Sequence, residues 1–334
     1  MSANPTDQAI LVTGGAGYIG AHIVDALAQA GRRVVVVDDL STGSADRLPG
    51  EVPLVRGDVG DPSLIAAALA DHQVGSVIHI AAKKQVGESV ERPLWYYRQN
   101  VTGFVNLLEC CVDAGVERVL FSSSAATYGM PDTDIITEDT PARPINPYGE
   151  SKLIGEWLMA DVARSSGLRY AALRYFNVAG AARPELGDPG VFNLIPLVFA
   201  ALTRGEAPKV FGDDWPTPDG TCIRDYVHIA DLADAHICAL DSLERVDGLV
   251  LNVGTGTGTS VRQVIDAIGD VLGRPVEAEV VARRPGDPAA LVASVDRIAD
   301  TLGWSAGRDL TDMVASAWQG WVAQHPEAAA LAVG

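Results

Sequence analysis

A short apolar run, Ala9 to Thr13, leads straight into Gly14-Gly15-Ala16-Gly17, and Ile19, Ile23, Leu27 and Ala30 then recur at helical spacing. A β-rich run, a glycine turn and an amphipathic helix in that order open a parallel α/β layer. Gly31 is the expected helix stop. Gly14, Gly17 and Gly20 stand three residues apart. Such a turn lets backbone come close to an anion and aims the helix N–H groups at it, while the last glycine lets the helix pack on the sheet. An empty structural turn is the plain alternative, and the acid that ends the next strand weighs against it. Asp38 lies 24 positions after Gly14, near the roughly 20-residue offset at which a carboxylate meets the ribose of a dinucleotide. It would accept hydrogen bonds from ribose hydroxyls and repel a 2′-phosphate, which favours NAD over NADP. The neighbouring Asp39 reads as a solvated loop acid. The cofactor set read here is Gly14, Gly17, Tyr18, Ile19, Gly20 and Asp38, with Asp58 and Val59 after the third strand. Asp58 suits either the adenine amine or a simple turn.

Strands and helices go on alternating. Strands are expected at Arg33–Val37, Val52–Val55, Val74–Ile80, Arg118–Ser122 and Arg169–Arg174. Helices are expected at Ser63–Ala70, from about Pro93 to Ala114, and at Tyr148–Ser165. The continuous Val run at 34–37 suits a strand buried on both faces. The fold class is α/β: a Rossmann-type doubly wound parallel sheet with a smaller α/β substrate-binding domain. After Tyr175 proline and glycine become frequent and the loops lengthen. This places a nucleotide-binding domain at 1–175 and a second domain at 176–334, with Leu249–Val253 as a strand that could rejoin the first sheet. The Ala-rich end, Glu327 to Gly334, is expected to fray.

Composition excludes several classes. The 334 residues hold 25 Lys+Arg against 43 Asp+Glu, a formal charge of −18. A phosphate backbone would be repelled at long range, so no nucleic-acid partner is expected. No apolar run reaches the ~20 residues of a membrane span, and the polar start has no basic segment of a secretion signal. Cys110, Cys111, Cys222 and Cys238 show no metal or disulfide spacing. A cytoplasmic protein without a metal is the expectation.

The chemistry is carried by Asn146-Pro147-Tyr148-Gly149-Glu150-Ser151-Lys152. Pro147 suits a first helical position, and Tyr148 and Lys152 share a helix face. A free phenol titrates near pH ~10 and is a poor base. A nearby ammonium, with a cationic nicotinamide, would favour the phenolate. Tyr148 could then take a hydroxyl proton while the same carbon gives up hydride. Ser122-Ser123-Ser124 ends the fifth strand, the edge at which open parallel sheets bind ligands, so Ser124 can hold the reacting oxygen. Glu150 falls off the Tyr148/Lys152 face and reads as solvated.

Thr13–Gly20, Ser122–Ser124 and Tyr148–Lys152 together resemble the extended short-chain dehydrogenase/reductases. His79–Ser89, Arg174–Asn177, Asp219–His228 and Arg283–Asp287 narrow this to a resemblance to the UDP-hexose 4-epimerase family, from Ile10 to about Trp321. The resemblance implies reversible, NAD-dependent 4-epimerisation of UDP-glucose and UDP-galactose through a 4-keto sugar. It implies Ser124, Tyr148 and Lys152 as the catalytic set, and Lys84, Asn100, Ser122 and Tyr175 beside the cofactor. It implies Asn177, Asn193, Leu194, Arg224, Arg284, Asp287 and Leu291 as substrate contacts, with Lys84, Ser124 and Tyr148. Related 4,6-dehydratases carry an Asp-Glu pair after the Ser/Thr, where this chain has Ala125 and Ala126, so dehydration is disfavoured. Leu291 replaces a family tyrosine that other members also vary, which leaves N-acetylated hexoses open. UDP-pentose epimerisation, a net dehydrogenase and a non-catalytic NAD binder are the other readings. A homodimer through the helices near Trp95–Cys111 and Tyr148–Ala163 is implied as well.

Overall fold

A computed structural model describes residues 8–284 and 286–332. The chain folds into two compact units. The first comprises Met1–Gly129, Pro141–Arg174 and Ala233–Leu251; the second comprises Met130–Thr140, Tyr175–Leu232 and Asn252–Gly334. The change of rhythm after Tyr175 thus marks one of several crossings between units that interleave along the chain.

The first unit is built on a seven-stranded sheet. Its strand order is Gly248–Val253, Arg169–Tyr175, Arg118–Ser124, Val74–His79, Ala9–Thr13, Val34–Asp38 and Leu54–Arg56. The strands from Arg118–Ser124 to Leu54–Arg56 pair in parallel. The chain starts at Ala9–Thr13, winds outward one way, then returns to Val74–His79 and winds the other way. That reversal is where open α/β sheets bind ligands. The four central strands are buried along their whole length, which is why their sequences are continuously apolar. Leu11, Val35, Val77, Val119 and Phe121 form the core with Phe104, Leu107 and Met159 from the helices.

The helices begin and end where local chemistry dictates. Asp61 caps Pro62–Asp71 by accepting from the N–H groups of Ser63 and Leu64. Asn146 caps Pro147–Ser166 by accepting from Gly149, and Gly167 ends that helix at φ 78°. The helix expected from Pro93 to Ala114 is interrupted: Pro93–Tyr96 and Gly103–Ala114 are α-helical, but Tyr97–Thr102 is a π-helical segment. A π segment re-aims a side chain within a helix, and here Asn100 is buried within it. The fifth strand runs two residues beyond the expected Ser122, so Ser124 is its last residue.

The second unit has its own sheet, ordered Gly258–Ser260, Ile223–His228, Ala290–Ala293 and Ile135–Ile136, with Asn177–Ala179 also pairing Ile223–His228. Its core joins Phe199, Val264, Ile268, Met313, Trp318 and Trp321. The expected fraying of the Ala-rich end is corrected over its described part: Pro326–Leu331 forms a 3₁₀ helix with Ala328 fully buried. Ala328 joins the core of that unit, and burial outweighs the weak sequence signal. Residues 333–334 lie outside the described residues.

Candidate active site

In the first unit the glycine turn is shaped around open space. Gly14 has φ +71°, a conformation that L side chains rarely adopt. A Cβ on Gly20 would lie 2.1 Å from the Gly14 carbonyl oxygen. A Cβ on Gly17 would meet only that oxygen, at 3.4 Å. Gly17 is also the N-cap of Tyr18–Gln29 and has no side chain to answer the helix's first N–H groups. A turn that is tight on the protein side, open at Gly17 and backed by a helix N-terminus fits a dinucleotide pyrophosphate. Tyr18 is buried and Ile19 follows it in the helix.

Asp38 is built into this turn. Its Oδ2 accepts from the Ala16 N–H at 2.9 Å, and Oδ1 accepts from Leu40 at 2.8 Å. Burial holds its carboxyl above the ordinary value, against the pull of those two N–H groups. Asp58 is exposed and accepts from the Gly60 N–H at 2.8 Å, while Val59 packs on the core. Lys84 is exposed. The lysine that reaches the Asp38 loop is Lys83, which donates to Ser41 Oγ at 2.9 Å and lies 3.6 Å from Asp39. Asn100 fixes Lys83 through its backbone: its Oδ1 accepts from the Lys83 N–H at 2.8 Å, and its Nδ2 donates to the Lys83 carbonyl at 2.9 Å. The same Nδ2 reaches Ser151 Oγ at 3.1 Å. Asp39, expected as a plain solvated acid, is exposed but paired with Lys83.

The strand end and the helix Pro147–Ser166 bring Ser124, Tyr148 and Lys152 together. Ser124 Oγ accepts from the Ala126 N–H at 3.1 Å, and the Ser124 hydroxyl acts to lower the Tyr148 phenol. Lys152 Nζ donates to the Ser122 carbonyl at 2.7 Å and lies 5.9 Å from the Tyr148 ring centroid. Ser122 therefore acts on the site through its backbone, and its hydroxyl meets His236 Nε2 at 3.0 Å. Burial pushes the Lys152 ammonium down to about 7, and the Glu156 carboxylate pulls it up. Burial also pushes the Tyr148 phenol up, against the pull of Ser124. In the protein alone, then, the phenol stands above its ordinary value, because desolvation outweighs the pull of Ser124. Lowering the phenol also takes the positive charge of a nicotinamide ring. Glu150, expected to be solvated, is half-buried and accepts a hydrogen bond from the Tyr97 hydroxyl.

The second unit assembles most of the other named residues around Ile223–His228. Arg224 pairs with Leu291 in parallel register, and Tyr226 pairs with Asn177. Arg224 donates to the Pro288 carbonyl at 2.9 Å and lies 3.6 Å from Asp287. Asn177 Nδ2 donates to the Asp225 carbonyl at 3.0 Å. Asp225 is buried and accepts from Thr255, Gly256 and Ala293, which ties three segments to that strand. Arg284 stacks 3.7 Å from the Phe211 ring centroid. Asn193 stands at the N-cap of Leu194–Thr203 with its amide 3.3 Å from Asp188, and Leu194 packs on the core. Tyr175, half-buried, ends its strand. Among the described residues no group of His, Cys, Asp and Glu could hold a metal ion.

Sequence reasoning missed Lys83 and the buried set Ser123, Glu156, Arg174 and Tyr128. Glu156 alone had a local signal, since it stands four residues after Lys152 on the same face.

A doubly wound sheet with a glycine turn, a ribose-type acid and a Ser-Tyr-Lys cluster at its ligand edge defines a dinucleotide-dependent enzyme class. The NAD dependent epimerase/dehydratase family model matches residues 10–254. A UDP-glucose 4-epimerase of Azospirillum brasilense is 47% identical over 317 residues, covering 93% of this chain and 91% of the relative. A crystal structure of UDP-glucose 4-epimerase from Brucella ovis in complex with NAD has a TM-score of 0.90 at 44% identity, covering 94% of this chain and 98% of that one. The Bifidobacterium longum UDP-glucose 4-epimerase in complex with NAD+ and UDP has a TM-score of 0.88 at 38% identity, covering 96% of this chain and all of that one (100%). This chain belongs to the NAD dependent epimerase/dehydratase family.

Proposed function

We propose that this protein is an NAD-dependent isomerase that inverts C4′ of UDP-hexoses, interconverting UDP-glucose and UDP-galactose. The observation that carries this is a buried Tyr148 one helical turn from Lys152, whose Nζ lies 5.9 Å from its ring centroid, with Ser124 at the strand end acting on the same phenol. Bound NAD would supply the hydride acceptor and donor for C4′. Tyr148 takes the proton of the 4′-hydroxyl and later gives it back, and because the hydride also returns to C4′ the reaction has no net redox change. Ser124 holds the reacting oxygen, and Lys152 stabilises the phenolate that Tyr148 becomes. Inversion requires the 4-keto sugar to present its other face, so the sugar must be held loosely and the UDP firmly. Gly14, Gly17, Gly20, Asp38, Asp58 and Asn100 read as the NAD side, with Lys83 beside the expected Lys84. The first unit is thus read as the NAD-binding domain. The second is read as the UDP-sugar domain, where Arg224 and Arg284 suit a diphosphate and Asp287 a ribose.

The assay is direct. Purified protein is incubated with UDP-galactose, UDP-glucose and their N-acetyl forms in parallel, and products and free NADH are followed. Equilibration of the two plain hexoses without NADH accumulation is expected. Stoichiometric NADH release would replace this reading with a dehydrogenase. Leu291 is half-buried and has no phenol, which favours some activity on the N-acetyl pair as well.

The same reading places the protein in the cytoplasm, in keeping with four free cysteines, and as a homodimer. No helix of the described residues is long and apolar enough to cross a membrane. Leu94 and Trp157 are 78% and 59% exposed on the two helices expected to pair. Light scattering at micromolar concentration is expected to give twice the chain mass, and a monomer would end the dimer reading.

A further inference from the structure

The helix Pro147–Ser166 carries a third ionisable group on its catalytic face. Tyr148, Lys152 and Glu156 recur at four-residue steps, so their side chains stack along one side. Glu156 is only 5% exposed. Its Oε1 accepts from Ser123 Oγ at 2.5 Å and from Arg174 Nε at 2.9 Å, and its Oε2 accepts from Arg174 at 2.5 Å. A further Arg174 N–H donates to the Tyr128 hydroxyl at 2.9 Å. Ser123 is tied to Glu156, and its neighbour Ser124 acts on the Tyr148 phenol. A buried ion pair seldom adds net stability over apolar side chains of the same volume, so stability alone does not explain this one.

The groups that face Lys152 come from several elements. Tyr148 and Glu156 belong to its own helix, and His79 acts on it from Val74–His79. The Phe121 ring and the Ser122 carbonyl come from Arg118–Ser124, with His236 behind Ser122. Ser123 and Arg174 hold Glu156, and Arg174 is itself bonded to the Tyr128 hydroxyl. His79 is kept neutral by burial, with a pKa of about 3. Glu156, one helical turn from Lys152 on the same face, is therefore the anion whose charge acts on it.

We propose that Glu156 is a positioning residue for the epimerisation: clamped by Arg174 and Ser123, its carboxylate holds Lys152 as an ammonium against the Ser122 carbonyl and beside Tyr148. This rests on the epimerase reading above. With Lys152 at about 7, a small change in its surroundings alters its charge within the neutral range. Loss of the anion favours the uncharged amine, so activity should fail on the alkaline side first.

The test is the pH profile of kcat with UDP-galactose for wild type and Glu156→Gln. The alkaline limb is expected to move to lower pH, with kcat down about tenfold at pH ~8.5 and falling less at pH ~6.5. Glu156→Asp restores the anion and should return the limb toward wild type. Because Gln strands Arg174, the double variant Glu156→Leu/Arg174→Met removes the pair whole and is expected to show the same displacement. NAD content and melting temperature establish that a variant is folded. A folded variant whose kcat is unchanged, or reduced equally at all pH values, overturns the proposal while the epimerase reading stands. A wild type inert on every UDP-sugar overturns both.

Discussion

Tyr148→Phe is expected to slow UDP-galactose turnover by about a thousandfold, within the range that a positioned acid–base group contributes, while keeping its NAD. The two effects separate because the ring and the hydroxyl have different tasks. The ring is buried and packs in the helix face whether or not it carries oxygen. The hydroxyl is the group on which Ser124 acts. Loss of one hydrogen bond costs about 1 kcal/mol of stability, too little to unfold a protein of this size. The variant should therefore purify normally. Turnover is read from UDP-glucose formation, and NAD from its absorbance after denaturation. Activity above a tenth of wild type would remove Tyr148 from the role of base.

Gly20→Ala is expected to destabilise the first unit by about 3 kcal/mol and to weaken NAD binding about a hundredfold. The added methyl would lie 2.1 Å from the Gly14 carbonyl oxygen and 2.7 Å from the Gly15 α-carbon. Both are backbone atoms, so no flexible side chain can move aside. Relief must come from shifting the turn itself. Gly17→Ala provides the contrast. Its methyl meets protein only at 3.4 Å, an ordinary contact, so the melting temperature should hold. Its NAD affinity should still fall, because that methyl fills the side of the turn meant for the ligand. Thermal melts and NAD titration of the two variants check this together. A Gly17→Ala protein that binds NAD like wild type would show that the pyrophosphate lies elsewhere.

Much of the sheet was legible because its signals are local. Continuous apolar runs mark strands covered on both faces, and the glycine triplet, Pro147 and Gly31 punctuate them. Tyr148 and Lys152 were legible because a helix repeats every 3.6 residues. What stayed hidden depends on partners far apart in sequence. Nothing near Asn100 announces that its amide will clamp Lys83, or that a π segment will turn it inward. Glu150 read as solvated because its periodicity points away from the catalytic face, yet Tyr97 reaches it from another helix. Arg174 stood inside a noted motif without a task, since Glu156 and Tyr128 are brought to it only by the fold. In the second unit, strand register was the missing information, and it sets Arg224 beside Leu291 and Asn177 beside Tyr226.

The interleaving of the two units bears on how the polypeptide emerges from the ribosome. The first unit holds Pro141–Arg174 but does not recover its remaining segment until Ala233–Leu251. The edge strand Gly248–Val253 and His236, which backs Ser122, are therefore made after nearly sixty intervening residues, Tyr175–Leu232, that belong to the other unit. Six strands can assemble as they appear, but the sheet must wait for its seventh with an unpaired edge at Arg169–Tyr175. An open edge during synthesis invites mispairing. The nascent chain thus has a defined window of vulnerability, which closes only when residue 253 is free of the exit tunnel.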